Sequence, residues 1–227
     1  MKNYFAYVIA IVSIIACNNI PEKEIPADIR LKDYDGNVYD TVRLGSQLWM
    51  KQNLRTTHYN DGTPITNQPD DSLWRYLALE AYTIYDHNAD NDPIYGKLYN
   101  WYAVNSGKLA PVGWHISTVE DWDTLFSFLT SDTAALGKIR EPGTEHWAAP
   151  NTGATNITKL TVLPAGNHSG LPGGPAFAGL HFYTGFWTPD EYNTDDAWVF
   201  NVQATHVKVD QYPYKKTFGL SVRCVKD

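Results

Sequence analysis

The chain has 227 residues, of which 43% are hydrophobic and 14% aromatic, and its formal net charge is -7. This length and composition are typical of one globular domain, and they exclude a disordered chain and a protein with many membrane spans. The two cysteines exclude a disulfide-rich scaffold. The acidic balance argues against nucleic acid as a partner, because phosphate binding requires a surplus of Lys and Arg.

The N-terminal segment is predicted to target the protein and not to belong to its fold. The stretch from Tyr4 to Ala16 carries no charge and is shorter than the roughly 20 apolar residues that a membrane span requires. It therefore indicates a secretory signal peptide over residues 1–16. The polar residues 17–29 follow as a tether, and the remaining residues, 30–227, form the domain.

The end of the apolar stretch, Ile14-Ile15-Ala16-Cys17, resembles the lipobox of bacterial lipoproteins. The resemblance implies cleavage after Ala16 and attachment of a diacylglycerol lipid, followed by a fatty acid such as palmitate, at Cys17. The protein would then contact the membrane through this lipid. Asn18 favours the outer membrane, and the acidic residues Glu22 and Glu24 resemble surface-export signals of Bacteroidota lipoproteins. The alternative is a secreted protein in which Cys17 has no role.

The first half of the domain contains a predicted hairpin and several loops. Val38–Leu44 and Gln47–Met50 alternate in hydrophobicity around Gly45-Ser46, which predicts two strands and a tight turn. The stretches that follow are predicted, in order, as a loop over 57–71, a short helix over 72–79, an extended segment over 82–85 and an acidic loop over 86–93.

Two helices are predicted next. The first spans Leu98–Val104, and the second begins at Ser117, whose spacing to Glu120 fits a capping box. The second helix carries an apolar stripe typical of a core-facing helix, formed by Val119, Trp122, Leu125, Phe126 and Leu129. Short apolar runs then predict strands at 160–163, 186–187, 197–202, 207–209 and 220–225. This order of elements predicts an α+β domain rich in loops.

The acidic loop is a candidate calcium site. Its oxygen-bearing side chains alternate along the chain, as hard cations require, and they are Asp86, Asn88, Asp90 and Asp92. The spacing is not that of an EF-hand, because Asn91 and Lys97 occupy the places of the required Gly and Glu. The alternative is a solvated turn stabilised by Asx side chains.

The aromatic and polar stretch 181–198 is a candidate ligand site. Flat rings bind the CH faces of sugars, while carboxylates and amides bind hydroxyl groups. Tyr192 with its neighbours Asp190, Glu191 and Asp195 is therefore a candidate contact for a glycan. Trp187 and Trp198 are expected to pack in the core instead.

Five ordered motifs resemble the Fibrobacter succinogenes major paralogous domain. They begin at Trp49, Tyr95, Leu109, Asn151 and Gly219, as WMKQNLRT, YGKLYNWYAV, LAPVGWHIST with EDW, NTGATN and GLSVRCVKD. This family is similar to the C-type lectin-like group, which includes the formylglycine-generating enzymes. The resemblance implies a C-type lectin-like α+β fold with a small twisted antiparallel sheet and two packed helices.

The chain departs from this family where many members carry a second cysteine, because Ala81–Tyr85 contains none. Cys224 is thus expected to be a buried, unpaired residue of the last strand. A copper-dependent oxidase needs more thiols than this chain supplies. Zinc motifs and a serine-hydrolase elbow are also absent, and the seven scattered histidines are expected to be surface or hydrogen-bonded residues.

The sequence thus predicts a surface-anchored lipoprotein with a non-catalytic lectin-like domain that binds or displays, with carbohydrate or an envelope protein as its ligand. One alternative is a structural subunit of a surface assembly without a small ligand. Another is a glycan-acting hydrolase, which requires two carboxylates facing each other across a cleft.

Overall fold

The computed structural model describes residues 31–129, 134–169, 173–206 and 210–227. The predicted signal peptide, Cys17, the tether and the strand predicted at 207–209 lie outside the described residues. Among the described helices, none has the length and hydropathy needed to cross a membrane.

The described residues form four sheets, five α-helices and two 3₁₀-helices, Tyr85–His87 and Ala89–Asn91, so the fold is α+β and rich in strands. The strands are β1 (Leu31–Lys32), β2 (Val38–Tyr39), β3 (Thr41–Leu44), β4 (Gln47–Met50), β5 (Thr66–Asn67), β6 (Ala81–Thr83), β7 (Leu98–Tyr99), β8 (Trp114–Ile116), β9 (Ala165–His168), β10 (Phe177–Leu180), β11 (Tyr183–Glu191), β12 (Asp196–Gln203), β13 (Asp210–Lys215) and β14 (Cys224–Lys226). The helices are α1 (Asp71–Trp74), α2 (Asp92–Tyr95), α3 (Trp101–Val104), α4 (Val119–Phe128) and α5 (Ala135–Ile139).

The sheets differ in size and direction. The largest has five strands in the order β10-β9-β11-β12-β13, and the next has four in the order β3-β4-β14-β8. A three-stranded sheet, β5-β6-β7, and the pair β1-β2 complete the set. The expectation of one small antiparallel sheet requires correction, because the described residues form four sheets and two of them contain a parallel pair, β9 with β11 and β5 with β6.

The predicted hairpin is confirmed as β3 and β4, with Thr41 opposite Met50 and Leu44 opposite Gln47. Its turn requires a positive φ, which Gly45 supplies at 60°. A Cβ at this position would lie 3.0 Å from the Phe128 ring, so the turn packs closely against the end of α4.

Helix α4 packs against both the five-stranded sheet and the four-stranded sheet through aromatic rings. Trp122 stacks on Phe200 of β12 with ring centroids 4.3 Å apart and lies 4.6 Å from Trp49 of β4. All three rings are fully buried. The predicted apolar stripe is thus confirmed as core at Trp122, Leu125, Phe126 and Leu129.

The capping box of α4 lies one residue later than predicted. Thr118 is the N-cap, and its hydroxyl accepts a hydrogen bond from the Asp121 amide while the Asp121 carboxylate accepts one from the Thr118 amide. Ser117 is fully buried, and its hydroxyl has no hydrogen-bond partner among the described residues. The pair Ser117 and Glu120 was therefore the wrong choice.

The helix predicted over Leu98–Val104 is correct only from Trp101 onward. Leu98 and Tyr99 form β7, because Tyr99 pairs with Tyr82 of β6 and exchanges backbone hydrogen bonds with Leu220. Asn100 then caps α3 by accepting a hydrogen bond from the Ala103 amide. Pairing with two partners, which buries both Leu98 and Tyr99, outweighs the local helical spacing.

Two later strand predictions also require correction. Residues 160–163 form no strand, and Val162 makes a single bridge to Arg140. The last strand begins at Cys224 and not at Leu220, since Leu220 and Ser221 make isolated bridges to Tyr99 and Phe186. Cys224 is confirmed as a buried, free cysteine, and burial raises the pKa of its thiol far above its usual range.

Candidate functional site around His146

Two neighbouring cavities share His146 in their walls. The arginine cavity has a volume of about 370 Å³ and is lined by Lys51, Gln52, Asn53, Pro93, Ile94, His146, Thr161, Leu163 and Arg223. The phenylalanine cavity has about 360 Å³ and is lined by Thr144, Glu145, His146, Trp147, Ala148, His181 and Phe182. Each cavity thus combines polar side chains with apolar walls, as ligand sites commonly do.

Arg223 forms part of the wall of the arginine cavity and is almost fully buried. Its Nε donates to Asn53 Oδ1 at 2.8 Å, and its Nη1 donates to the carbonyls of Leu160 and Met50 at 3.0 and 3.2 Å. Burial lowers the pKa of the guanidinium to about 9, so it stays charged at neutral pH.

The partners of Arg223 are all neutral acceptors. Among the described residues, no carboxylate forms an ion pair with the guanidinium. A buried cation without a counter-ion favours negative charge nearby. An anionic group on a bound ligand would supply that charge from within the arginine cavity.

The loop that carries His146 is held at several points. Asn151 donates from Nδ2 to the carbonyls of Glu141 and Gly143, at 2.7 and 2.9 Å. The buried Trp147 donates from Nε1 to the Val162 carbonyl at 3.0 Å. Nδ1 of His181 lies 2.7 Å from the carbonyl oxygen of His146. These contacts fix the backbone that positions the side chains of the site.

His146 itself lies against Glu141. Its Nδ1 is 2.9 and 2.8 Å from the two carboxylate oxygens of Glu141. The carboxylate of Glu145 lies close to the same pair, and the three groups offer ligand atoms that all lie within 4.8 Å of one another. A carboxylate pair with an imidazole can hold a divalent metal ion.

Phe182 presents an aromatic ring to solvent at the phenylalanine cavity. The residue is 61% exposed. Its backbone is nevertheless held by two hydrogen bonds, since its amide donates to the Gly179 carbonyl and its carbonyl accepts from the Ala204 amide. A fixed backbone under an exposed ring gives a flat apolar surface beside polar neighbours.

The predicted calcium residues lie along two 3₁₀-helices and the start of α2, and their carboxylates do not form a group of three within 4.8 Å. Asn88 Oδ1 accepts a hydrogen bond from the Asp90 amide, and Asp92 Oδ2 lies 2.7 Å from Lys97 Nζ. Asp86 adopts a positive φ of 55°. Among the described residues, only Glu141, Glu145 and His146 bring three His, Cys, Asp or Glu ligand atoms within 4.8 Å. Calcium binding at Asp86, Asn88, Asp90 and Asp92 stays a prediction.

The candidate ligand residues near Tyr192 have other contacts. Asp190 Oδ2 accepts from the Val119 amide at 2.8 Å, Glu191 pairs with Lys216, and Asp195 lies 3.7 Å from Lys215 Nζ. The Tyr192 ring meets Trp198 edge-on with centroids 4.9 Å apart. None of these four residues lines either cavity, and a ligand there stays a prediction.

Sequence reasoning missed the residues around the two cavities. His146 was expected only as a surface or hydrogen-bonded histidine, and its hydrogen bond to Glu141 agrees with that expectation. The spacing of Glu141, Glu145 and His146 within one short loop was the signal that could have found the cluster. Nothing local could link this loop to Arg223, which is distant in sequence.

Comparison with known proteins assigns the family. The family model of the Fibrobacter succinogenes major domain matches residues 42–226, a span that begins in β3 and ends in β14. No curated protein and no solved structure matches the chain. Because the matched span covers well over half of its residues, this protein belongs to the Fibrobacter succinogenes major domain family.

Proposed function

We propose that this protein is an outer-membrane lipoprotein, anchored through Cys17, whose cell-surface domain binds carbohydrate at the phenylalanine cavity. The observation that carries the proposal is the exposed ring of Phe182 at a cavity whose wall also contains Thr144, Glu145 and His181. The lipobox-like stretch supports the anchor. The loop-rich sheets with α4 packed on them support a relation to the C-type lectin-like group.

The chemistry of the wall matches that of a sugar. The flat apolar face of the Phe182 ring suits the CH face of a pyranose, because stacking removes the apolar surfaces of both from water. Carboxylate, hydroxyl and imidazole groups at the same cavity supply acceptors and donors for the sugar hydroxyls. A hydroxyl-rich ligand with one apolar face therefore fits this surface better than a wholly apolar one.

The arginine cavity adds a preference for negative charge. His146 lines both cavities, so a glycan of two or more units placed on Phe182 extends toward Arg223 and Lys51. These two cations favour a unit that carries a carboxylate, because Arg223 has no acidic partner among the described residues. We therefore propose an acidic glycan as the ligand.

A hydrolytic function has less support in this geometry. A glycosidase needs two carboxylates across the scissile bond. The wall of the phenylalanine cavity contains Glu145 as its one carboxylate, and the wall of the arginine cavity contains none. Binding without hydrolysis is the function that the described residues support best.

A glycan array followed by calorimetry tests the proposal. We expect binding to glycans that contain uronic or sialic acid, and Phe182→Ala should weaken it roughly tenfold, or by ~1.4 kcal/mol. Tyr192→Ala is the matched control, because its ring is also about half exposed but lies outside both cavities.

Two results would contradict the proposal. Loss of binding in Tyr192→Ala with full binding in Phe182→Ala would move the site to the residues around Tyr192. Absence of binding to every glycan, together with co-purification of the protein with an envelope complex, would favour a structural subunit instead.

A further inference from the structure

The loop 141–147 contains a group of three side chains, two of which, Glu145 and His146, also lie in the wall proposed for the glycan. Glu141 and His146 are in contact, and Glu145 completes a group of three ligand atoms within 4.8 Å. We propose that these three residues bind a divalent transition-metal ion, with Zn²⁺ as the preferred ion.

The distances fit a shared ion. Two ligand atoms that each lie ~2.1 Å from a tetrahedral zinc ion are roughly 3.4 Å apart. Nδ1 of His146 lies 2.8 and 2.9 Å from the two oxygens of Glu141. An ion that replaces this hydrogen bond requires the imidazole and the carboxylate to separate by roughly half an ångström.

Other contacts between histidine and carboxylate in the described residues are arranged differently, and they include His87 and His168, which share one oxygen of Asp71 at 2.9 and 3.0 Å. His58 Nδ1 meets the single carboxylate of Asp35 at 2.6 Å. His115 meets two carboxylates, but Asp121 lies at Nε2 and Asp227 at Nδ1, on opposite sides of the ring. Two acids on opposite nitrogens cannot share one ion with the same imidazole. Among the described residues, only the group at His146 brings three such ligand atoms within 4.8 Å of one another.

Glu145 is the second observation that points to a ligand. Its side chain is exposed and forms no hydrogen bond or ion pair with the described residues, so the fold does not use it. Its two partners are about one fifth exposed, at 22% for His146 and 18% for Glu141. A carboxylate without a partner among the described residues thus lies beside a largely enclosed pair, in a loop held by hydrogen bonds of Asn151 and Trp147.

The ligand types select the class of ion. One imidazole nitrogen with two carboxylates suits zinc and its neighbours in the first transition row better than calcium, which binds oxygen ligands alone. Three protein ligands also leave coordination positions open. Since His146 and Glu145 line the phenylalanine cavity, an ion bound by them would lie beside the space proposed for the glycan.

Titration of the metal-free chain with zinc chloride, in the absence of glycan, tests the site by calorimetry. We expect one zinc ion per chain. Glu145→Gln should weaken binding at least as much as the roughly 10- to 100-fold that loss of a supporting group costs at known metal sites. His146→Gln should weaken it further.

Controls separate this site from others. His58→Gln removes an imidazole that has one acidic neighbour, and it should leave zinc affinity unchanged. Glu145→Gln keeps the shape of an exposed side chain, so its metal-free form should unfold at the wild-type temperature. Asp90→Asn, in the predicted calcium turn, should leave zinc affinity unchanged as well.

The proposal is overturned if wild-type chain binds no zinc, or if Glu145→Gln and wild type bind it equally. Tighter binding of Ca²⁺ than of Zn²⁺ at these residues would also overturn it. The test needs no carbohydrate, so a failure of glycan binding and a failure of metal binding are distinguishable.

Discussion

At the scale of single residues, Arg223 connects stability with the candidate site. Its guanidinium organises Asn53, Met50 and Leu160, which come from two distant parts of the chain. The same group lines the arginine cavity and contributes its charge there. Arg223 thus contributes to the fold and, in the proposed function, to the preference for an acidic glycan.

We expect Arg223→Met to lower the free energy of unfolding by ~3 kcal/mol, because buried acceptors lose their donor and cannot reach water. Urea unfolding measures this change. Lys51→Met is the control, since this side chain lines the same cavity but is only half buried, and its effect should stay within ~0.5 kcal/mol. Equal effects of the two substitutions would show that Arg223 does not organise the buried carbonyls.

At the scale of elements, α4 shows that local spacing determines the buried face of a helix, while tertiary contacts determine where the helix begins. Its apolar stripe follows from spacing, and it packs as the sequence predicts. The residue at which the helix begins depends on which hydroxyl forms the capping box with a carboxylate three residues later. Ser117 and Thr118 are adjacent candidates that the sequence does not distinguish. The backbone of Ser117 is instead held by the Arg223 carbonyl, which leaves Thr118 free to cap the helix.

Thr118→Ala is expected to destabilise the protein by ~1 kcal/mol, the usual cost of removing an N-cap hydroxyl. Ser117→Ala should be close to neutral, because the Ser117 hydroxyl has no partner to lose among the described residues. Thermal unfolding of the two variants measures the difference. The reverse order of stabilities would return the capping box to Ser117 and Glu120.

The elements also show what sequence could predict. The β3-β4 hairpin and the buried face of α4 depend on alternation, turn residues and spacing within a few positions, so they were predictable. The strand at Leu98–Tyr99 was not, because its partners Tyr82 and Leu220 are distant in sequence. The candidate site was missed for the same reason: its cavities join the loop 141–147 to residues near positions 51, 94 and 223.

At the scale of the whole molecule, the aromatic content serves mainly the core. One buried cluster surrounds Trp122 and Phe200, and another surrounds Tyr99 and Trp187. Exposed rings such as Phe182 are exceptions to this use. The domain therefore gains rigidity from aromatic packing, with no disulfide among the described residues, and can present a site on short fixed loops.

The proposed anchor makes a prediction for the whole molecule. Cells that express the protein and are fed labelled palmitate should yield a labelled chain, and Cys17→Ala should abolish the label, because no lipid can attach without the thiol. Cys224→Ala is the matched control and should keep the label, since Cys224 is buried in β14. Labelling that survives Cys17→Ala would contradict the anchor.

The burial of Cys224 has a practical consequence. Its thiol is held within β14 between β4 and β8, and burial keeps it protonated. An alkylating reagent can reach it only when this part of the sheet opens. The rate of alkylation at Cys224 therefore reports the opening of the four-stranded sheet, so the protein carries its own probe of local unfolding without any added label.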